Sequence, residues 1–285
     1  LTALDDFIFE VRSNSEDLLW AYTFRAGVYF YKGKDGNNEN LSKALEDYRR
    51  AIRIDSTAHM GWAGAGCALV DLKRYEDARY YLQESLKYGV DKSTYLNLGV
   101  LCARSDGSYL EAITYYDLAI DLDSSYAQAF ANRARCKYEL GDDAAAVLDC
   151  DKAIFLCEGN PDPIALTNAL FNRGLAQTRL ENYDACIRDF TTLLQFDPIN
   201  LSYLFNRGYC HFSNNGSDSH IRLGIEDFTN FISQDTSSGL AYYYRSILLA
   251  NLGDEFAEEA VEDYYKAVEL DPSLKIEELE SFRDK

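Results

Sequence analysis

Proline is scarce in this chain: four in 285 residues, too few for a linker-rich or disordered protein. No apolar run reaches the roughly 18 residues of a membrane-crossing helix, and no secretory leader is evident. Histidine is rarer still. His59, His211 and His220 do not approach a zinc-binding spacing, and no CxxC occurs. Basic residues are outnumbered, with Lys+Arg 28 against Asp+Glu 47 and a net charge of -19. That balance argues against nucleic acid or an anionic membrane as partner, since phosphate binding needs a cationic face. It favours basic or mixed-charge protein segments through steering. Nucleophile elbows, glycine-rich phosphate loops and kinase-type motif sets are also missing. We therefore predict no catalytic residues, no metal, no cofactor and no enzyme activity. Acid pairs such as Glu258-Glu259 and Asp142-Asp143 fall where turns or helix starts are expected, and there they serve the helix N-terminus.

The seven cysteines (Cys67, Cys102, Cys136, Cys150, Cys157, Cys186 and Cys210) are odd in number and scattered. Their predicted state is the reduced thiol, buried as a small hydrophobe. This implies a cytoplasmic chain, with the nucleus as the other reducing setting. Asn215-Gly216-Ser217 matches a glycosylation acceptor, but nothing else in the sequence suggests secretion. The chain opens on Leu1 and reads as a part of something longer.

What the chain has in quantity is hydrophobic residues, 47% with Tyr 22 and Phe 15, and a small residue that keeps returning. Gly27, Gly66, Gly99, Ala134, Gly174, Gly208 and Ser246 lie 39, 33, 35, 40, 34 and 38 residues apart. Each is followed by a second small residue: Ala44, Ala78, Ala112, Ala146, Cys186, Gly224 or Ala260. A small residue twice per unit is what two closely crossed helices need. Between Thr167 and Asn200, Leu170, Gly174 and Gln177 share one helical face, and Cys186, Phe190 and Leu193 share the next. Leu180-Glu181-Asn182 is short enough to force an antiparallel hairpin, and Pro198 marks the junction with the following unit.

This pattern resembles the tetratricopeptide repeat family, whose signature repeats with a period of about 34 residues. Trp62, Ala65, Gly66, Leu69, Ala78, Leu82 and Ser85 carry one unit, and Leu98, Gly99, Ala112, Tyr116 and Ala119 another. Seven units follow, at 20–58, 59–91, 92–126, 127–160, 167–200, 201–238 and 239–274. Residues 1–19 form an N-terminal cap or the remnant of a preceding repeat, 161–166 an insertion, and 275–285 a C-terminal cap, with the capping helix itself expected over 273–282. The fold this implies is all-α: a right-handed superhelical α-solenoid of stacked antiparallel helix pairs.

Two constellations sit on that frame. Arg133, Arg173, Arg207 and Arg245 precede the small residue of the first helix. The same units place Asp149, Asp189, Asp227 and Asp263 one residue before the bulky slot of the second helix. The second and third units have neither partner, and the first has only the acid, Asp47 opposite Ala26. Matched presence and absence predicts structural Arg–Asp pairs at the hairpin seams.

The second constellation lies two residues before the small anchor, a slot expected to face the concave groove of such a stack. It reads Arg25, Gly64, Asn97, Asn132, Asn172, Asn206 and Tyr244. The four asparagines resemble the asparagine ladder of O-linked N-acetylglucosamine transferase repeat domains, and amides can hold an extended backbone regardless of its sequence. Around them Phe171, Phe205, Tyr209 and Tyr243 offer aromatic anchors, and Arg135 and Arg179 offer local positive charge. Phe24, Val28 and Tyr31 extend the apolar lining to the first unit. Domains that clamp acidic chaperone tails need Lys and Asn flanking the glycine, and none of these units has them, which disfavours such a ligand. The function implied is a protein–protein interaction scaffold or adaptor that binds an extended, partly apolar or basic segment. The alternatives are a structural subunit assembling through convex or terminal surfaces, and a targeting module of a larger enzyme.

Overall fold

A computed structural model describes residues 1–11, 14–34, 36–214 and 217–276. Among these residues there are fifteen α-helices, two short 3-10 turns and no strand. They fall into two compact units, residues 1–140 and 141–285. In the first unit, α1 (Thr2–Glu10) precedes three hairpins and a single helix. The hairpins are α2 (Ser15–Gly33) with α3 (Asn38–Ile54), α4 (His59–Asp71) with α5 (Tyr75–Tyr88), and α6 (Lys92–Ser105) with α7 (Tyr109–Leu122). The single helix α8 (Ala127–Glu139) packs on α7. The second unit begins with α9 (Asp143–Gly159) packed on α10 (Pro163–Arg179), which also pairs with α11 (Tyr183–Phe196). Two hairpins follow: α12 (Leu201–Ser213) with α13 (Asp218–Ile232), and α14 (Gly239–Leu252) with α15 (Ala257–Leu270). Each unit is a stack of helix pairs, and the fold class is the all-α solenoid.

Close approach of the paired helices is set by residues without bulk. A Cβ on Gly99 would lie 2.4 Å from the Tyr116 ring, and one on Gly174 would lie 2.8 Å from Phe190. Those rings are fully buried, so the glycine and its aromatic partner form one packing device. Helix ends carry their own chemistry. Asp55, Asp123, Asp235 and Asp271 each accept from the backbone N–H and the hydroxyl of a Ser or Thr two residues on. These Asx turns stop a second helix and start the next repeat. The same bonds hold the four carboxyls below the ordinary range, with the Lys92 bond the largest cause for Asp123.

Four expectations are corrected. The anchor of the first repeat is Ala26, fully buried, and not Gly27, whose added Cβ would meet only the Tyr48 hydroxyl at 3.9 Å. Residues 15–19 belong to α2 and residues 163–166 to α10, because Asn14 and Asp162 cap those helices earlier than the repeat period implies. The expected helix over 273–282 is not seen in its described part, where Pro272–Leu274 is a 3-10 turn; residues 277–282 lie outside the described residues. Finally, the thiols are not all reduced: Cys186 on α11 and Cys210 on α12 form a disulfide. Two seam positions of adjacent repeats, both fully buried, bring these side chains together. With one disulfide present, the cysteines do not mark a reducing compartment. The remaining five cysteines are free.

Candidate functional site

The corrected register changes the first seam. With Ala26 as anchor, Arg25 takes the position held in other units by Arg173, Arg207 and Arg245. It grips Asp47 with two nitrogens at 2.6 and 2.8 Å and also pairs with Asp5 of α1. Arg25 therefore does not face a groove, and the first repeat has both partners of the pair. The corresponding bidentate bonds are Arg173–Asp189 (2.9 and 2.6 Å), Arg207–Asp227 (2.9 and 2.6 Å) and Arg245–Asp263 (2.6 and 2.7 Å). All four of these acids are buried.

Each of these arginines has a further partner. Arg173 reaches Asp151 at 2.6 Å, Arg207 reaches Thr191 at 3.3 Å and Arg245 reaches Thr229 at 3.1 Å. In the first unit, Arg133 pairs with Asp117. Asp117, Asp151, Thr191 and Thr229 all stand one residue after the bulky slot of the preceding repeat. A single guanidinium thus joins the two helices of its own repeat to the repeat before it. Arg133 and Asp149 belong to different units, and Asp149 is buried within its own.

The asparagines occupy unequal environments. Asn97 and Asn206 are half-buried, and each amide donates to the carbonyl four residues back, Ser93 O at 2.8 Å and Ser202 O at 2.7 Å. Asn132 is half-buried on α8, and Asn172 on α10 is buried. The aromatics of the second unit are largely engaged with one another. Phe171 meets Phe190 and Tyr203, while Phe205 meets Phe228, Phe231 and Tyr244. Tyr209 packs on Phe212 and Tyr244, and Tyr243 on Tyr244. Arg135 is exposed and bound to Glu139 at 2.6 Å; Arg179 lies 3.5 Å from Asp143.

A large concavity lies in the first unit, with a volume of about 1150 Å³. Its walls come from α2 and α4, and α6 contributes Ser93 and Asn97. Gly27, Ala63 and Gly64 lie along it and contribute little bulk of their own. At Gly64 the room is already taken from below: a Cβ there would lie 2.3 Å from the Tyr48 ring. The rim carries apolar side chains in water: Trp20 (56% exposed), Phe24 (51%), Tyr31 (76%) and Met60 (69%). Trp20 and Phe24 stack at 5.2 Å. Such exposure costs solvation free energy in an isolated chain. Polar groups sit at the edges, with Glu16, Lys32 and the His59–Asp91 pair at 2.8 Å. Cys67 also lines the groove, and burial pushes its thiol up to about 12. Of the four asparagines only Asn97 lines this groove. Among the described residues, no group of three His, Cys, Asp or Glu could hold a metal, and no helix is long and apolar enough to cross a membrane.

Stacked helix pairs with a small residue at each crossing define a helical-repeat protein. A family model for the tetratricopeptide repeat matches residues 63–127 and 103–161. Human (Homo sapiens) sperm-associated antigen 1 is 29% identical over 94 residues, covering 33% of this chain and 10% of that protein. Anaphase-promoting complex subunit 3 of Schizosaccharomyces pombe is 26% identical over 126 residues, 43% of this chain and 19% of the relative. The chain thus spans at most about a fifth of either relative. Among solved structures, the APC/C hetero-tetramer Cut9–Hcn1 has a similar fold, with a TM-score of 0.71, 14% identity and coverage of 87% of this chain and 45% of that one. MamA from Desulfovibrio magneticus RS-1 gives a TM-score of 0.55 at 17% identity, over 65% of this chain and 97% of its own. Residues 63–161 are thus tetratricopeptide repeats, and the remaining helix pairs share their fold.

Proposed function

We infer that the chain is a protein-interaction scaffold whose first-unit groove holds an extended segment of a partner protein. The observation that carries this reading is the open apolar groove of α2, α4 and α6, rimmed by Trp20, Phe24, Tyr31 and Met60. A rim of large exposed rings around a floor of glycine and alanine suits bulky anchor side chains inserted from an extended strand. Asn97 supplies an amide for the segment's backbone, its carbonyl oxygen being left by the Ser93 bond. Glu16 and the net charge of -19 favour a segment that is basic as well as apolar. Tetratricopeptide proteins in general mediate protein–protein contacts, and one relative is by name a subunit of a protein complex, which agrees with this role. No reaction is assigned to the groove, and the reading applies to a cytoplasmic or nuclear partner as well as to any other.

Gly27 supplies a test that separates binding from folding. It lies inside α2 on the groove floor with open space above it. Gly27→Leu should fill the groove while stabilising the helix by about 0.5–1 kcal/mol. Peptides selected against the native chain from a displayed random library should carry bulky apolar anchors and should lose binding to Gly27→Leu, whose melting temperature holds or rises. Selected peptides that bind this variant as well as the native chain would rule the groove out.

A further inference from the structure

On the flank of the first unit, between α3 and the α4–α5 turn, lies a second cleft of about 450 Å³. Three guanidinium groups line it, from Arg49, Arg53 and Arg74, in a chain whose net charge is -19. Arg49 and Arg53 are four residues apart on one face of α3, where like charges repel. Among the described residues, neither has a carboxylate within ion-pair distance. The one acid in the lining, Glu46, is taken by Arg50, and Arg74 is steadied by Asp77. Arg53 gains something from its place in the last turn of α3, but that does not account for three cations lining one cleft.

Arg49 is held in place by a neutral group. Its Nε donates to the Tyr81 hydroxyl at 3.0 Å, and the guanidinium carbon lies 5.7 Å from the centre of that ring. This arrangement orients the fork and leaves its two terminal nitrogens for another acceptor. A carboxylate has two oxygens and a single charge, and one guanidinium fork satisfies it. Three forks around one cleft suit a group with three oxygens and nearly two charges. A long polyanion fits less well, because Glu39, Glu76 and Asp77 stand on the same elements and would repel its continuation.

We propose that the Arg49–Arg53–Arg74 cleft binds a single phosphoryl group carried on a protein segment. The site is separate from the apolar groove and does not depend on it. Its test is fluorescence anisotropy at low ionic strength with a labelled heptapeptide bearing one phosphoserine among glycines. Binding should saturate, should vanish for the unphosphorylated peptide, and should weaken roughly tenfold or more in Arg53→Gln, as expected for a lost charge-assisted fork. Arg53 is exposed, so this variant should melt like the native chain, which keeps the test valid even where Arg49→Gln disturbs Tyr81. Gly27→Leu should leave phosphopeptide binding unchanged, so that failure of the groove and failure of this cleft are told apart. Absence of saturable binding, or equal binding to Arg53→Gln, overturns the proposal. Displacement of the peptide by an equal concentration of inorganic phosphate, or by a short single-stranded RNA, overturns the assignment to a protein segment.

Discussion

Gly64 shows how one residue settles a local question that repeat spacing leaves open. It stands in the slot where later repeats carry asparagine, yet a Cβ there would overlap the Tyr48 ring at 2.3 Å. Gly64→Asn, which writes the ladder residue back in, is expected to destabilise the chain by about 1–3 kcal/mol through overpacking, read as a shift in denaturant midpoint. His211 gives a second single-residue expectation. Burial, then His220 and Arg207, lowers its pKa from 6.5 to about 4, and its Nδ1 lies 2.9 Å from that of His220. The unfolded chain takes up this proton near pH 6.5 and the folded chain only near 4, so the contribution is full above 6.5 and is lost as pH falls towards 4. Melting temperature measured from pH 7 to pH 4 should fall less steeply in His211→Gln than in the native chain; parallel slopes would refute it. Residue identity was also where sequence reasoning slipped. Ala26 and Gly27 are both small, and spacing cannot say which one faces Tyr48. Asn97 and Asn206 were legible as a register position, but not their bonds to their own helices. The cleft arginines were missed because charge was summed over the chain. Arg53 has no acid three or four residues away, and that was the available signal.

Between elements, the arginine seam is the most specific contact in the structure. Arg173 binds Asp189 on α11 and Asp151 on α9 with separate nitrogens. A double-mutant cycle of Arg173→Ala with Asp189→Ala should give a coupling energy of about 0.5–3 kcal/mol, measured by urea unfolding, and a value near zero would remove the pair from the account. Losing the acid alone leaves the arginine with Asp151, whereas losing the arginine alone strands a buried carboxylate. Arg173→Ala should therefore cost more than Asp189→Ala. Matched Arg and Asp positions made three of these seams readable before any coordinates. Their third arm was not readable, because it links one repeat's first helix to the previous repeat's second helix at a position that varies between Asp and Thr.

At the scale of the whole molecule, the all-α stack of helix pairs was legible from recurrence alone, since a small anchor and its second-helix partner leave the crossing helices little freedom. The disulfide was not, because Cys186 and Cys210 stand 24 residues apart in neighbouring repeats, at positions that the repeat spacing does not pair. It closes a loop whose constraint on the unfolded chain is worth about 3 kcal/mol. Under reducing conditions the second unit should melt earlier while the first keeps its transition, and Cys186→Ser should reproduce the shift; alkylation of seven thiols in the unreduced, denatured chain would show that the bond is absent. The arginine seam has one last consequence, which concerns the order of repeats. The position that receives the next repeat's arginine is Asp117, Asp151, Thr191 or Thr229, but in the first repeat it is Arg49, and the following repeat carries Ala65 in place of arginine. A donor already stands where an acceptor would be needed. Repeat five or six could be duplicated singly, its copy finding Thr191 or Thr229 in the unit before it, whereas neither could be spliced in directly after the first without setting two cations against each other; the seventh carries Tyr265 at that position. The sequence of units thus has a syntax, and Arg49 is the point at which it forbids rearrangement.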